Sequence, residues 1–229
     1  SYAEATRYPR GSRGDCFWKG LGVMCGPHGL TGSQNMLFRG NGDGTFSNVS
    51  EKAGLLAARP AFGFTPLVLD YDNDGWPDVY VANDSAASLL FHNNHDGTFK
   101  DVGLQAGVAL TADGRAQAGM GVTAGDYDRD GWLDIVKTNF DDDTPSVYRN
   151  LGRGLFDDAT RTAGLAVNTR YLGWGTGFLD VDLDSWPDIL IVNGHVYPEA
   201  DRLGGQYSYE QPKLLYRNLG LDILEYARG

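Results

Sequence analysis

Apolar and polar residues alternate along this chain in short bursts. "DVYVAN" (78–83), "DIVKTN" (134–139) and "DILIVN" (188–193) have the length and period of β-strands. Each follows a glycine-rich apolar stretch: "FGFTPLVLD", "GMGVTAGD" or "GWGTGFLD". Each precedes an aromatic or β-branched segment: "SLLFHNN", "SVYRNLG" or "KLLYRNLG". A fourth segment of the "GTFKDV" type enters through an Asn/Asp-Gly turn, a hairpin signal. No stretch sustains the 3.6-residue period of a long helix.

The bursts recur on a fixed beat. Acidic nonapeptides start at Asp70, Asp126 and Asp180, in steps of 56 and 54, and Phe46, Phe99 and Phe156 of the fourth segment step by 53 and 57. Four short antiparallel strands per repeat predict one blade of a β-propeller, so the fold class is all-β. Segments three and four already occur at 36–49, before any acidic loop, and three full units follow, the last closing on "DILEYARG". The count is about fourteen strands, or three and a half blades, where closed propellers have four to eight. The expectation is a partial propeller, or one completed by another chain. Residues 1–35 read as an N-terminal segment and 36–229 as blades.

Between segments one and two stand "DYDNDGWPD" (70–78), "DYDRDGWLD" (126–134) and "DVDLDSWPD" (180–188). Side chains at positions 1, 3, 5 and 9, with the carbonyl of position 7, can wrap one cation, and that many hard oxygens suits Ca²⁺. The expected sites are Asp70, Asp72, Asp74, Trp76 (carbonyl) and Asp78; Asp126, Asp128, Asp130, Trp132 (carbonyl) and Asp134; and Asp180, Asp182, Asp184, Trp186 (carbonyl) and Asp188. Glycine at position 6 permits a turn with φ > 0; Ser185 replaces it in the third loop and predicts strain there. Solvated acidic turns are the plain alternative, but three in register with one repeat argue for ligand sites. An EF-hand is excluded, because position 12 is Val81, Lys137 or Ile191 rather than glutamate.

The loops and their flanks resemble the FG-GAP (or VCBS) repeat of calcium-loaded β-propellers, as in integrin α-chain heads and many bacterial secreted proteins. "CGPHGL", "LFRGNGDGTFSNVSEKAGL", "DYDNDGWPDVYVAND" and "NGHVYPEAD…YEQPKLLYRNLG" are similar to the cartilage-acidic-protein-like group, over roughly residues 14 to 220. That group often ends in an ASPIC/UnbV module, which is absent here, and "LDILEYARG" departs from its "GDGTF" pattern. The resemblance implies an extracytoplasmic binding or assembly module.

Composition narrows the function classes. A net charge of −11 argues against nucleic-acid binding through a basic surface, and three bound divalent cations would cancel over half of it. No apolar run reaches the ~20 residues of a membrane helix, and residue 1 does not open a signal peptide. Cys16 and Cys25 read as two buried thiols or, in an oxidising compartment, as a small disulfide loop; the disulfide is the expectation. Localisation is then extracellular, cell-surface or periplasmic.

Weaker signals receive plain readings. Arg13-Gly14-Asp15 is an RGD tripeptide, most simply a chance occurrence, and Asn48 and Asn83 head glycosylation sequons. Trp76, Trp132 and Trp186 pack beside their loops or, alternatively, form sugar-stacking platforms. The four histidines read as scattered surface or core residues. No nucleophile–base pair, catalytic carboxylate pair or phosphate-binding glycine loop stands out, so an enzyme is not expected. The long segment 194–212, with Tyr197, Tyr207 and Tyr209, is the first choice for a contact surface. The leading expectation is a calcium-stabilised module with a protein partner or a second copy of itself. The alternatives are a carbohydrate-binding propeller and an enzyme subunit whose site a partner completes.

Overall fold

The computed structural model describes residues 16–27, 30–204, 207–220 and 223–227. Arg13-Gly14-Asp15 lies outside them. The fold is all-β and propeller-like, with three four-stranded antiparallel sheets in sequence. The first holds β5 (Gly63–Leu69), β6 (Asp78–Asn83), β7 (Leu89–Asn93) and β8 (Phe99–Asp101). The second holds β9 (Gly119–Gly125), β10 (Asp134–Asn139), β11 (Ser146–Asn150) and β12 (Phe156–Asp158). The third holds β13 (Gly173–Leu179), β14 (Asp188–Asn193), β15 (Leu214–Asn218) and β16 (Leu224–Ala227), so "LEYA" does close the last blade. Ahead of them β3 (Phe38–Gly40) pairs only with β4 (Phe46–Asn48). These are the fourteen expected strands, and the half blade consists of the outer pair, strands three and four.

Two further strands, β1 (Cys16–Trp18) and β2 (Leu21–Val23), form a hairpin that the sequence pattern did not announce. Cys16 and Cys25 are joined by a disulfide, with Cα atoms 5.2 Å apart.

The second strands of the first two blades, β6 and β10, are buried on both faces, which explains their apolar character; in β14 one face is buried while Leu190 and Val192 on the other are partly exposed. In β6, Tyr80 and Ala82 enter the core shared with the next sheet, while Val81 packs the other way with Leu89 and Phe91. In β10, Ile135 looks back into that first core and Val136 forward, with Val147, Ile189 and Tyr216. Each core is therefore an interface between blades, and alternate residues of one strand serve two cores.

First strands are glycine-rich because neighbouring blades converge there. A Cβ on Gly121 of β9 would lie 1.7 Å from the Trp174 carbonyl oxygen of β13, so no side chain fits. Asparagines ending the third strands bolt the second and third blades to their predecessors. Asn150 Nδ2 donates to the Leu133 carbonyl at 3.0 Å and to the Tyr71 carbonyl one blade back at 2.8 Å. Asn218 Nδ2 repeats this with Pro187 at 3.1 Å and Tyr127 at 2.8 Å.

The sequon at Asn83 is corrected: the side chain is fully buried and its Nδ2 donates to the Ala87 carbonyl at 2.6 Å, which leaves no room for a glycan.

Candidate metal centres

All three acidic loops share one backbone path. Position 4 (Asn73, Arg129, Leu183) and position 6 (Gly75, Gly131, Ser185) both have positive φ. Ser185 stands at φ 73, where glycine occupies the other two loops. Ser185→Gly is therefore expected to stabilise the chain by up to ~1 kcal/mol, and thermal unfolding of the variant checks this.

The aspartates do unequal work. Position 1 accepts two loop amides: Asp70 from Asp74 and Gly75 at 3.1 and 2.9 Å, Asp126 from Asp130 and Gly131 at 3.0 Å each, Asp180 from Asp184 and Ser185 at 3.1 and 3.0 Å. Position 5 (Asp74, Asp130, Asp184) accepts the amide of Trp76, Trp132 or Trp186 at 2.8–2.9 Å. Position 9 is fully buried in all three loops. Asp78 accepts the amides of Asn93 and Tyr71, Asp134 those of Asn150 and Tyr127, and Asp188 those of Asn218 and Val181. This carboxylate thus ties the loop to the third strand as well as facing the site.

Carboxylate oxygens of Asp126, Asp128 and Asp134 lie within 4.8 Å of one another, as do those of Asp180, Asp182 and Asp188. In the first loop two such groups share a member, Asp70–Asp72–Asp74 and Asp72–Asp78–His92. Positions 1, 3 and 9 thus converge in the second and third loops; the expected ligands Asp130 and Asp184 stand outside those groups, each with its Oδ1 turned to a loop amide.

Position 3 is the aspartate the loop backbone holds least. Asp72 Oδ1 is buried without a hydrogen-bond partner, an orphaned acceptor that a cation would satisfy. Burial, and then the charge of Asp74, push the Asp72 carboxyl up from its ordinary value. Burial also lifts Asp78 to about 6 and Asp134 to about 8. A divalent ion would reverse that pressure. The oxygen-only groups fit a hard cation in donor chemistry.

The third strand delivers one residue to each position 3. Arg149 Nε pairs with Asp128 at 2.6 Å, and Arg217 with Asp182 at 2.6 Å. In the first loop the same place is taken by His92, whose Nδ1 is 3.5 Å from both Asp72 and Asp78. His95 is drawn in as well, 2.5 Å from Asp74. The reading of the histidines as scattered is thus corrected for these two. The signal was present: "LLFHNN" aligns with "VYRNLG" and "LLYRNLG", placing His92 opposite the two arginines.

The tryptophans pack beside their loops. The Trp132 ring lies 3.1 Å from where Gly152 would carry a Cβ, the Trp186 ring 3.2 Å from that of Gly220, and Trp76 stacks on His95 at 5.0 Å. Adjacent loops are linked: Asn73 Nδ2 donates to the Gly131 carbonyl at 3.2 Å, and the Arg129 guanidinium sits 5.1 Å over the Trp186 ring.

The tyrosine segment is largely engaged within the chain. Trp18 of the disulfide hairpin packs against His195, Tyr197 and Tyr207 with centroids 4.4, 5.7 and 5.5 Å away. Tyr209 remains exposed. Trp18 Nε1 donates to Asp141 at 3.2 Å, and Lys19 pairs with Asp142. Burial, then Asp142, push the Asp141 carboxyl up to about 6. The native state therefore binds this proton more tightly than the unfolded chain, whose aspartates titrate near ~3.9. Stability from this group is highest below pH ~4, falls as pH rises to about 6, and stays lower above. Asp141→Asn keeps an acceptor for Trp18 and is expected to gain roughly 2 kcal/mol at pH 7.5 and nothing at pH 4. Paired melts of wild type and variant at the two pH values check it.

Comparison with known proteins agrees with this architecture. The profile of the FG-GAP-like repeat matches residues 23–81 and 70–137. Cartilage acidic protein 1 of Homo sapiens is 43% identical over 63 residues, 28% of this chain and 9% of that protein. The Xenopus tropicalis protein of the same name is 35% identical over 96 residues, 41% of this chain and 14% of that protein. Integrin alpha-7 of Mus musculus is 28% identical over 145 residues, 57% of this chain and 12% of that protein. The chain therefore spans only 9–14% of the length of these relatives. A solved structure concerning recognition of non-reducing terminal N-acetylglucosamine by an Agrocybe aegerita lectin aligns with 86% of this chain and 46% of its own at TM-score 0.41 and 21% identity, a likeness too loose to bear on fold or ligand. The repeat profile covers residues 23–137, half of the chain, and the blades and acidic loops continue beyond it in register: the chain belongs to the FG-GAP-like repeat family.

Proposed function

We propose that this chain is a calcium-stabilised segment of an extracytoplasmic β-propeller that works by binding or assembly rather than by catalysis. The observation that carries the reading is the repeated convergence of three carboxylates in loops of one backbone path, with a buried orphan oxygen on Asp72. Asp70, Asp72 and Asp74 would hold the first ion, Asp126, Asp128 and Asp134 the second, and Asp180, Asp182 and Asp188 the third. Calcium supplies charge that the crowded carboxylates lack, and fixes the end of each blade where strands one to three meet.

The Cys16–Cys25 disulfide supports an oxidising compartment, and the likeness to integrin alpha-7 and cartilage acidic protein 1 supports a surface or extracellular one. Among the described residues no helix is long and apolar enough to cross a membrane. A protein partner or a second copy is the favoured ligand, because the apolar surface left open is sheet face rather than a polar pocket. Calorimetric titration of the EGTA-stripped chain with CaCl₂ tests the reading: saturable binding at the loops supports it, and a flat titration overturns it.

A further inference from the structure

We propose that the first acidic loop is a mixed nitrogen–oxygen metal site that takes a borderline transition ion, of the Zn²⁺ class, through Asp72, Asp78 and His92. The proposal rests on the reading of the acidic loops as metal sites and concerns which metal the first one prefers.

The three loops are copies of one device, so their differences are informative. In the second and third, the third-strand residue facing position 3 is an arginine, Arg149 or Arg217, in an ion pair with Asp128 or Asp182. A guanidinium stays charged, offers only donors and cannot ligate a cation. It leaves those loops with oxygen ligands alone. In the first loop that register holds His92, and imidazole offers a lone pair that Zn²⁺ and neighbours such as Ni²⁺ and Cu²⁺ accept readily and Ca²⁺ does not.

The geometry fits a shared ion. His92 Nδ1 is 3.5 Å from Asp72 Oδ2 and 3.5 Å from Asp78 Oδ1. A ligand sphere with bonds of roughly 2.0–2.2 Å places tetrahedral neighbours roughly 3.3–3.5 Å apart. Both carboxylates stand at ion-pair distance from the ring, and the Tyr71 hydroxyl is within hydrogen-bond reach of Nδ1 at 3.4 Å. Asp78 is fully buried and its oxygens are oriented by the amides of Asn93 and Tyr71, which is how outer partners hold a ligand in place. Asp72 faces His92 with Oδ2, and its other oxygen, Oδ1, is buried without a hydrogen-bond partner.

The two groups of the first loop share Asp72, so one ion excludes the other. Calcium favours the all-oxygen group with Asp70 and Asp74; a borderline ion favours the group with His92. His95 stands apart from this choice, paired with Asp74 and stacked on Trp76.

The test is calorimetric titration of the 229-residue chain with ZnCl₂ in saturating CaCl₂, with metal content measured after desalting. The expected result is uptake of one Zn²⁺ with release of at most one Ca²⁺. His92→Arg, which gives the first loop the arrangement of the other two, should weaken Zn²⁺ binding by roughly 10–100-fold and leave calcium at the second and third loops. Arg149→His is the converse and should add a second equivalent of Zn²⁺; it decides the matter where His92→Arg does not fold. Absence of Zn²⁺ uptake, or uptake unchanged by His92→Arg and by Arg149→His, overturns the proposal. Calcium binding without zinc binding overturns this inference alone, whereas zinc bound through His92 by a chain that ignores calcium overturns only the calcium reading.

Discussion

Chelation with EGTA is expected to lower the melting temperature of this chain by roughly 15–30 °C. An ion that binds only the native state stabilises it by about 2.7 kcal/mol per site at a hundredfold excess over Kd. Three sites at that level contribute about 8 kcal/mol, and each kcal/mol moves the midpoint of a domain this size by roughly 2–4 °C. The physical source is visible in the ion-free loops. Burial pushes Asp134 up to about 8 and Asp78 up to about 6, so near pH 7.5 the native state without cations holds carboxylates that disfavour their charge. These raised values have a consequence in sign. The ion-free protein gains stability as pH falls through about 8, while protonation weakens cation binding. The gap between calcium-loaded and EGTA-treated melts should therefore narrow from pH 8 toward pH 6. A melt that EGTA leaves unchanged, with no calcium in elemental analysis, sinks the calcium reading.

Much of this was legible because the repeat compares the chain with itself. Period-2 alternation located β6, β10 and β14, and the beat of Asp70, Asp126 and Asp180 placed three loops on one kind of turn. Even the odd residue behaved: Ser185 takes the positive φ that its glycine counterparts announce. What escaped depends on partners that sequence distance hides. Position 9 looked like one ligand among four, yet Asp78 also holds the amide of Asn93 fifteen residues on, a bond that only the antiparallel register of β6 and β7 creates. The docking of Trp18 on Asp141 spans 123 residues, and nothing local to "CFWKG" points to it. Asn83 matched a sequon by residue type, but its side chain is fully buried and bonded to the Ala87 carbonyl four residues on. His92 was legible in principle, through its alignment with Arg149 and Arg217, but histidines taken singly carry no pattern.

The purified chain is expected to associate rather than remain a 24.9 kDa monomer. β3 and β4 are an outer pair, and the face of the next sheet is buried at Val81, Leu89 and Phe91 but open at Pro66 and Val68 of β5. That face is an apolar groove lined by Met36, Leu37, Pro66, Val68, Val79 and Phe99, with Val68 67% exposed. At the other end Leu179, Val181 and Leu183 are exposed on the last blade. Apolar surface of this kind marks an interface, and open strand edges invite pairing. The strand count alone makes a twofold dimer look attractive, as half of a seven-blade ring. The topology argues otherwise, because two copies bring two outer pairs and no inner strands. A closed ring would need a two-stranded element of the β5–β6 kind over the groove; in the purified chain the groove meets instead the exposed Leu179, Val181 and Leu183 end of another copy, a head-to-tail contact. Light scattering over a concentration series should give a mass that rises above the monomer value. Val68→Asp places a charge in the groove and should move the association midpoint at least ~10-fold higher in concentration, since burying a valine is worth roughly 1.5–3 kcal/mol. A monodisperse monomer at every concentration, with Val68→Asp indistinguishable from wild type, would mean that the bared face of β5 and β6 needs no partner.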